Sequence, residues 1–149
     1  DEILDETTRN LLGNGTVTSE QAHRLRDAMT GAFPESMVSG YEPLIDVMPN
    51  DRKDRHVAAA AVKAGAQVIV TNNLKDFMTL PDGIEAQSPD EFLSNLFDLD
   101  PDGIAELVRQ QAEALRSPPR SIAELLAGLA PMVPDFARSV AYHIDVSLP

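Results

Sequence analysis

Apolar residues in this chain recur first at helical spacing, then in an unbroken extended run, then at helical spacing again, and each change of rhythm marks an element. Ile3, Leu4, Leu11 and Leu12 predict an amphipathic helix from the first residues onward. Thr18 with Gln21 forms a capping box for a second helix to about Phe33, which Pro34 ends. Met37 and Val38 predict a short strand, and the residues after Tyr41 a short helix closed by Pro49. A third helix starts at Asn50 or Asp51, carries the small residues Ala58, Ala59, Ala60 and Ala61, and reaches Gly65, a residue suited to a helix C-terminus. Val68, Ile69 and Val70 have no polar interruption and predict a strand buried on both faces. "GIEAQ" predicts a second short strand, and Ser88, Pro89 and Glu91 announce a capped helix.

Helix, turn, buried strand, loop, strand and helix in that order predict an α/β fold with a parallel sheet. After Asp98 the rhythm is helical throughout. Three short helices are separated by Pro118–Pro119 and by the stretch from Pro131 to Pro134, with a further capping box at Ser121 and Glu124. Since about 50 residues rarely build an independent core, residues 99–149 are read as a helical extension of a domain spanning residues 1–98.

Composition narrows the function. The 149 residues are 43% hydrophobic, enough for an ordinary core, and contain no cysteine, which excludes disulfides and thiolate metal sites and suits a reducing cytoplasm. No apolar run approaches the roughly 20 residues that span a bilayer, and no signal peptide is visible, so a cytoplasmic protein with no membrane partner is expected. Twenty-four acids against 12 cations give a formal charge of −12, which opposes non-specific attraction to nucleic acid. A nucleic-acid enzyme with this balance needs local cations or a bound metal. The chain opens on Asp1 rather than methionine, directly in a helical pattern, and upstream sequence is expected to be missing.

Candidate chemistry follows from topology. In open parallel sheets, sites form outside the carboxyl ends of the strands. "VIVTNNLKDF" delivers Thr71, Asn72, Asn73 and Asp76 to that edge, and the helix preceding the strand begins there, so Asp54 and Asp76 are expected to meet. The first helix offers Glu2, Asp5 or Glu6. Converging carboxylates repel unless a cation neutralises them, and hard oxygen donors suit Mg²⁺ or Mn²⁺. Such an ion activates water and stabilises displacement at phosphorus. A plainer reading stays open: Asp54 as a first-turn helix acid, Asp76 as a turn acid before Phe77, and Glu6 on a solvated face. Arg52, Lys53, Arg55 and Lys75 flank the site and either hold phosphates or solvate a surface. His56 lies beside Asp54, whereas His23 and His143 have no partner at metal-ligand spacing, which argues against zinc. The serines lack a nucleophile-elbow context, and there is no Gly-rich phosphate loop.

The stretch "NDRKDRHVAAAAVKAGAQVIVTNNLKDF" resembles the second half of a PIN-domain ribonuclease of the kind found as the toxin in VapBC toxin–antitoxin pairs. The resemblance implies a three-layer α/β/α fold with a parallel sheet and a C-terminal helical extension. It is N-terminally incomplete here, because no strand ending in "D-A/T-N-V" supplies the first acid. It further implies that Asp54 and Asp76 are metal-binding, catalytic acids for Mg²⁺ or Mn²⁺, with Glu6 in "EILDET" the best match to a third and Glu2 the second. Thr71 and Asn73 match polar residues beside the metal, while Arg52, Lys53, Arg55 and Lys75 face RNA phosphates. The implied partners are RNA, a basic antitoxin and, at an unpaired edge of "QVIVT", a second copy of the chain. Two function classes follow: a metal-dependent endoribonuclease that cleaves RNA by metal-activated water, of which this chain is either an active or an inactive truncated form, or a PIN-fold binding module without catalysis. A structure-selective DNA nuclease is a third reading.

Overall fold

The structure, a computed structural model, describes residues 2–13, 15, 17–116 and 118–148. It is an α/β arrangement, mostly helical, with one small parallel sheet. Contacts divide the chain into two compact units, Asp1–Ile69 with Asp76–Glu85, and Val70–Lys75 with Ala86–Pro149.

In the first unit α1 (Glu2–Gly13) packs against α2 (Ser19–Ala32), and Asp5 pairs with Arg26 between them. The capping box forms as read: the Thr18 hydroxyl accepts from the Gln21 N–H while the Gln21 side chain accepts from the Thr18 N–H. Met37 and Val38 belong to no strand, and among the described residues no ladder partner pairs with them. The segment after Tyr41 is a 3₁₀ helix, Glu42–Val47, packed on α3 (Arg55–Ala64). A separate 3₁₀ turn, Arg52–Asp54, precedes α3, which therefore starts later than the sequence pattern predicts. Ala58, Ala59 and Ala61 are buried, and Gly65 closes the helix in the left-handed conformation at φ 67°, where a side chain would be strained.

Strands β1 (Val68–Val70) and β2 (Glu85–Gln87) form the two-stranded sheet. The Glu85 N–H donates to the Gln67 carbonyl and the Thr71 N–H to the Gln87 carbonyl, both at 2.9 Å, as parallel pairing requires. Burial on both faces is corrected: Ile69 is buried, Val68 is half-buried and Val70 is 45% exposed.

The second unit holds α4 (Pro89–Leu99), α5 (Pro101–Ala114), α6 (Ile122–Leu129) and α7 (Pro134–His143), with α7 packed against the other three. These helices carry a core of their own. Phe97, Val108, Leu126, Val133, Phe136 and Val140 form it, and Leu126 and Val140 are fully buried. α4 supplies Phe97, so the helices after Asp98 build their core by recruiting the helix before it. α7 has no cap from its own N-terminal neighbour, Val133. The Asp90 carboxylate of α4 fills that role, accepting from the N–H groups of Asp135 at 3.1 Å and Phe136 at 2.9 Å. Among the described residues no helix is long and apolar enough to cross a membrane.

Candidate metal centre

Asp51, Asp54 and Asp76 each place a carboxylate oxygen within 4.8 Å of the others. Two short 3₁₀ turns produce the cluster. In the first, Arg52–Asp54, the Asp51 carboxylate caps the turn by accepting the Lys53 N–H at 3.0 Å. Side chains three residues apart eclipse one another on a 3₁₀ turn, which puts Asp51 and Asp54 on one side. The second turn, Leu74–Phe77, is anchored by the buried Phe77 and presents Asp76 immediately before it. The Asp51 N–H then donates to the Asp76 carbonyl at 3.0 Å, so a main-chain bond ties the two acidic segments together.

The loop before the first turn is held from within. Arg55 donates from Nε to the Asn50 carbonyl at 3.2 Å and from a terminal guanidinium nitrogen to the Asp46 carbonyl at 3.3 Å. The Lys53 carbonyl lies 3.0 Å from Nδ1 of His56. Asn50 is 5% exposed, and its Oδ1 has no hydrogen-bond partner; Nε2 of His56 is likewise buried and unpartnered.

Electrostatics match the crowding. Burial pushes the Asp54 carboxyl above its ordinary value, the nearby Asp76 charge pushes it further, and Lys53 opposes both. Lys53 sends its ammonium to the cluster, with Nζ 3.7 Å from Asp76 Oδ2 and 4.0 Å from Asp51 Oδ1. The Asp76 side chain is 13% exposed and that of Lys53 79% exposed.

The structure thus brings Asp54 and Asp76 together and adds Asp51 in place of Glu6. Glu6 is exposed on α1 and is not part of the group, since α1 is committed to α2 through its apolar stripe and the Asp5–Arg26 pair. Glu2 lies elsewhere too, accepting from the Tyr41 hydroxyl at 3.4 Å. Asp51 carries no ligand signal beyond its spacing of three from Asp54, a spacing that puts two side chains on one side of a 3₁₀ or an α turn alike. Arg52 is exposed beside the cluster in sequence. Thr71, Asn73 and Lys75 belong to the second unit. There the Thr71 hydroxyl accepts from the Asn73 N–H at 3.1 Å, and Lys75 is exposed. Of the other histidines, His23 lines a groove with Asp5, Thr8, Arg9 and Arg26. His143 has Nε2 2.8 Å from Asp102 and meets the ring of Phe97 edge-on.

Three hard carboxylate donors this close together could hold a divalent cation, and their oxygen chemistry fits Mg²⁺ or Mn²⁺.

Comparison with known proteins gives two matches. Residues 89–141, covering α4 to α7, match the family described as VapC50 C-terminal domain. A Mycobacterium tuberculosis protein named "Putative ribonuclease VapC50" is 43% identical over 101 residues, covering 66% of this chain and 60% of that protein. The chain thus spans less than two thirds of the length of its curated relative. No solved structure matches.

Proposed function

We propose, starting from a chain that belongs with the VapC-type PIN ribonucleases and spans part of one, that the whole protein is a metal-dependent endoribonuclease of a toxin–antitoxin pair. Asp51, Asp54 and Asp76 are then part of its metal centre. The observation that carries this reading is the convergence of three carboxylates from two chain segments within 4.8 Å, one with its proton affinity raised by burial and repulsion. A bound Mg²⁺ or Mn²⁺ supplies a water activated at neutral pH and charge stabilisation at phosphorus.

The chain's own residues have separable parts. Asp51, Asp54 and Asp76 hold the ion. The exposed Arg52 and Lys53 offer positive charge to RNA phosphates in a protein whose overall charge of −12 repels them. Thr71, Asn73 and Lys75, in the second unit, are the further substrate-binding residues that the PIN-domain resemblance implies. Arg55 instead spends its guanidinium on two main-chain carbonyls, which makes it a positioning residue for the acidic turn. On this reading the whole protein has the three-layer α/β/α arrangement, with β1 and β2 as part of a larger parallel sheet. It works in the cytoplasm, and its partners are RNA, a basic antitoxin and a second copy of itself.

The test is Asp76→Asn in the whole protein. Mg²⁺-dependent RNA cleavage should fall by roughly a hundredfold or more, since one charged ligand of a charge-stabilising centre is gone. EDTA should abolish the parent's activity. Undiminished cleavage by the variant would overturn the assignment. A whole protein that cleaves no RNA yet binds a basic antitoxin would support the binding module instead, and cleavage of flapped DNA alone would support the third reading.

A further inference from the structure

We infer that Lys53 is the built-in counter-ion of the acidic cluster, standing where a divalent cation's charge is needed and exchanging with that cation when it binds. The inference rests on the metal-centre reading above and adds to it a residue that competes with the ion.

The geometry separates Lys53 into a fixed half and a free half. Its N–H is held by the Asp51 carboxylate at 3.0 Å, and its carbonyl faces the His56 ring at 3.0 Å, so the backbone cannot shift without breaking the turn that presents Asp51 and Asp54. Its side chain is 79% exposed and makes two long contacts, 3.7 Å to Asp76 and 4.0 Å to Asp51. Those distances bridge the two segments that supply the acids. They exceed those of a tight charge-assisted hydrogen bond, and an exposed ammonium at such distances is weakly held. A lysine suits this use better than an arginine, because it is a compact charge on a flexible stem and has no planar fork to lock onto a carboxylate.

The neighbouring cation shows the contrast. Arg55, two residues on, is half-buried and committed to main-chain carbonyls at 3.2 and 3.3 Å, so it steadies the loop, whereas the Lys53 ammonium reaches the carboxylates. Without a metal, the ammonium relieves repulsion among three acids of which one is 13% exposed. With a divalent ion in place, the same carboxylates turn to the stronger charge. The released ammonium, on its anchored backbone, is then at the rim of the site and free to meet a phosphate.

The experiment is a Mn²⁺ titration of the 149-residue chain without RNA, following free Mn²⁺ by its paramagnetic resonance signal, for the parent, Lys53→Gln and Lys63→Gln. Lys63 lies in the last turn of α3 and carries the same charge, so its variant controls for the change in net charge. Lys53→Gln should bind Mn²⁺ about two- to fivefold more tightly, the range expected for removing a weak exposed competitor. It should also melt at a lower temperature than the parent without metal and at the parent's temperature with saturating Mn²⁺. Lys63→Gln should match the parent in both. Equal or weaker binding by Lys53→Gln, or tightening of the same size in both variants, overturns the assignment of Lys53 alone. A parent chain that binds no Mn²⁺ overturns this inference, while the metal-centre reading of the whole protein is decided separately by Asp76→Asn cleavage.

Discussion

Asp54 shows how a single carboxyl reports on its surroundings. Its side chain caps nothing, although it occupies the N-cap position of α3, and burial and the Asp76 charge both disfavour its ionised form. The ionised form is therefore less favourable in the folded chain than in the unfolded one. Asp54→Asn should raise the melting temperature without metal, measured by circular dichroism, and should weaken Mn²⁺ binding by roughly tenfold or more because one charged ligand is lost. A variant less stable than the parent would mean that Asp54 serves the turn and not an ion. Arg55 belongs to the opposite class. Removing its guanidinium leaves the carbonyls of Asn50 and Asp46 without their donors, so Arg55→Met should lower stability by about 1–3 kcal/mol.

Helices α4 and α6 begin with the same device. In each, a serine hydroxyl accepts from the N–H three residues on, and the glutamate there accepts from the serine's N–H and hydroxyl. Those bonds from Ser88 and Ser121 hold the Glu91 and Glu124 carboxyls below their ordinary value of 4.5. A depressed carboxyl binds its proton less readily folded than unfolded. Its contribution is fully present above pH 4.5 and is lost as the pH falls through the lowered folded value. Replacing both glutamates with glutamine, which makes the same contacts uncharged, should leave stability near neutral pH little changed and flatten its fall below pH 4.5 in acid-unfolding curves. Ser88→Ala should cost about 1 kcal/mol near neutral pH. Strand β1 carries a different consequence. Among the described residues it pairs with β2 alone, and a strand edge left open is a template for another chain. Light scattering on the purified chain should show a dimer or larger species, and a stable monomer would remove self-association from the account.

For the molecule as a whole, the packing of α7 is the strongest commitment. Leu126 and Val140 are wholly buried around it, and Leu126→Ala should destabilise the second unit by about 2–5 kcal/mol in denaturant titration. Asp90→Ala should cost about 1–2 kcal/mol through loss of the α7 cap, although Asp90 lies on another helix. Local signals in the sequence were sufficient wherever the physics is local. The capping boxes at Thr18, Ser88 and Ser121, the helix end at Gly65 and the helical rhythm after Asp98 are each decided by contacts within a few residues, and all are read directly from the chain. The meeting of Asp54 with Asp76 was legible too, because a helix and the strand after it bring their ends to one edge of a parallel sheet. Tertiary structure decided the rest. Asp51 is in the cluster because its N–H meets the Asp76 carbonyl, while Glu6 lies on α1, which packs against α2. Arg55 turned inward because carbonyls at Asn50 and Asp46 lacked donors, and α7 took its cap from Asp90, 45 residues from Asp135. Sequence fixes which groups a residue offers, whereas the partner that satisfies each group is chosen by distance in the folded chain, which no local pattern encodes.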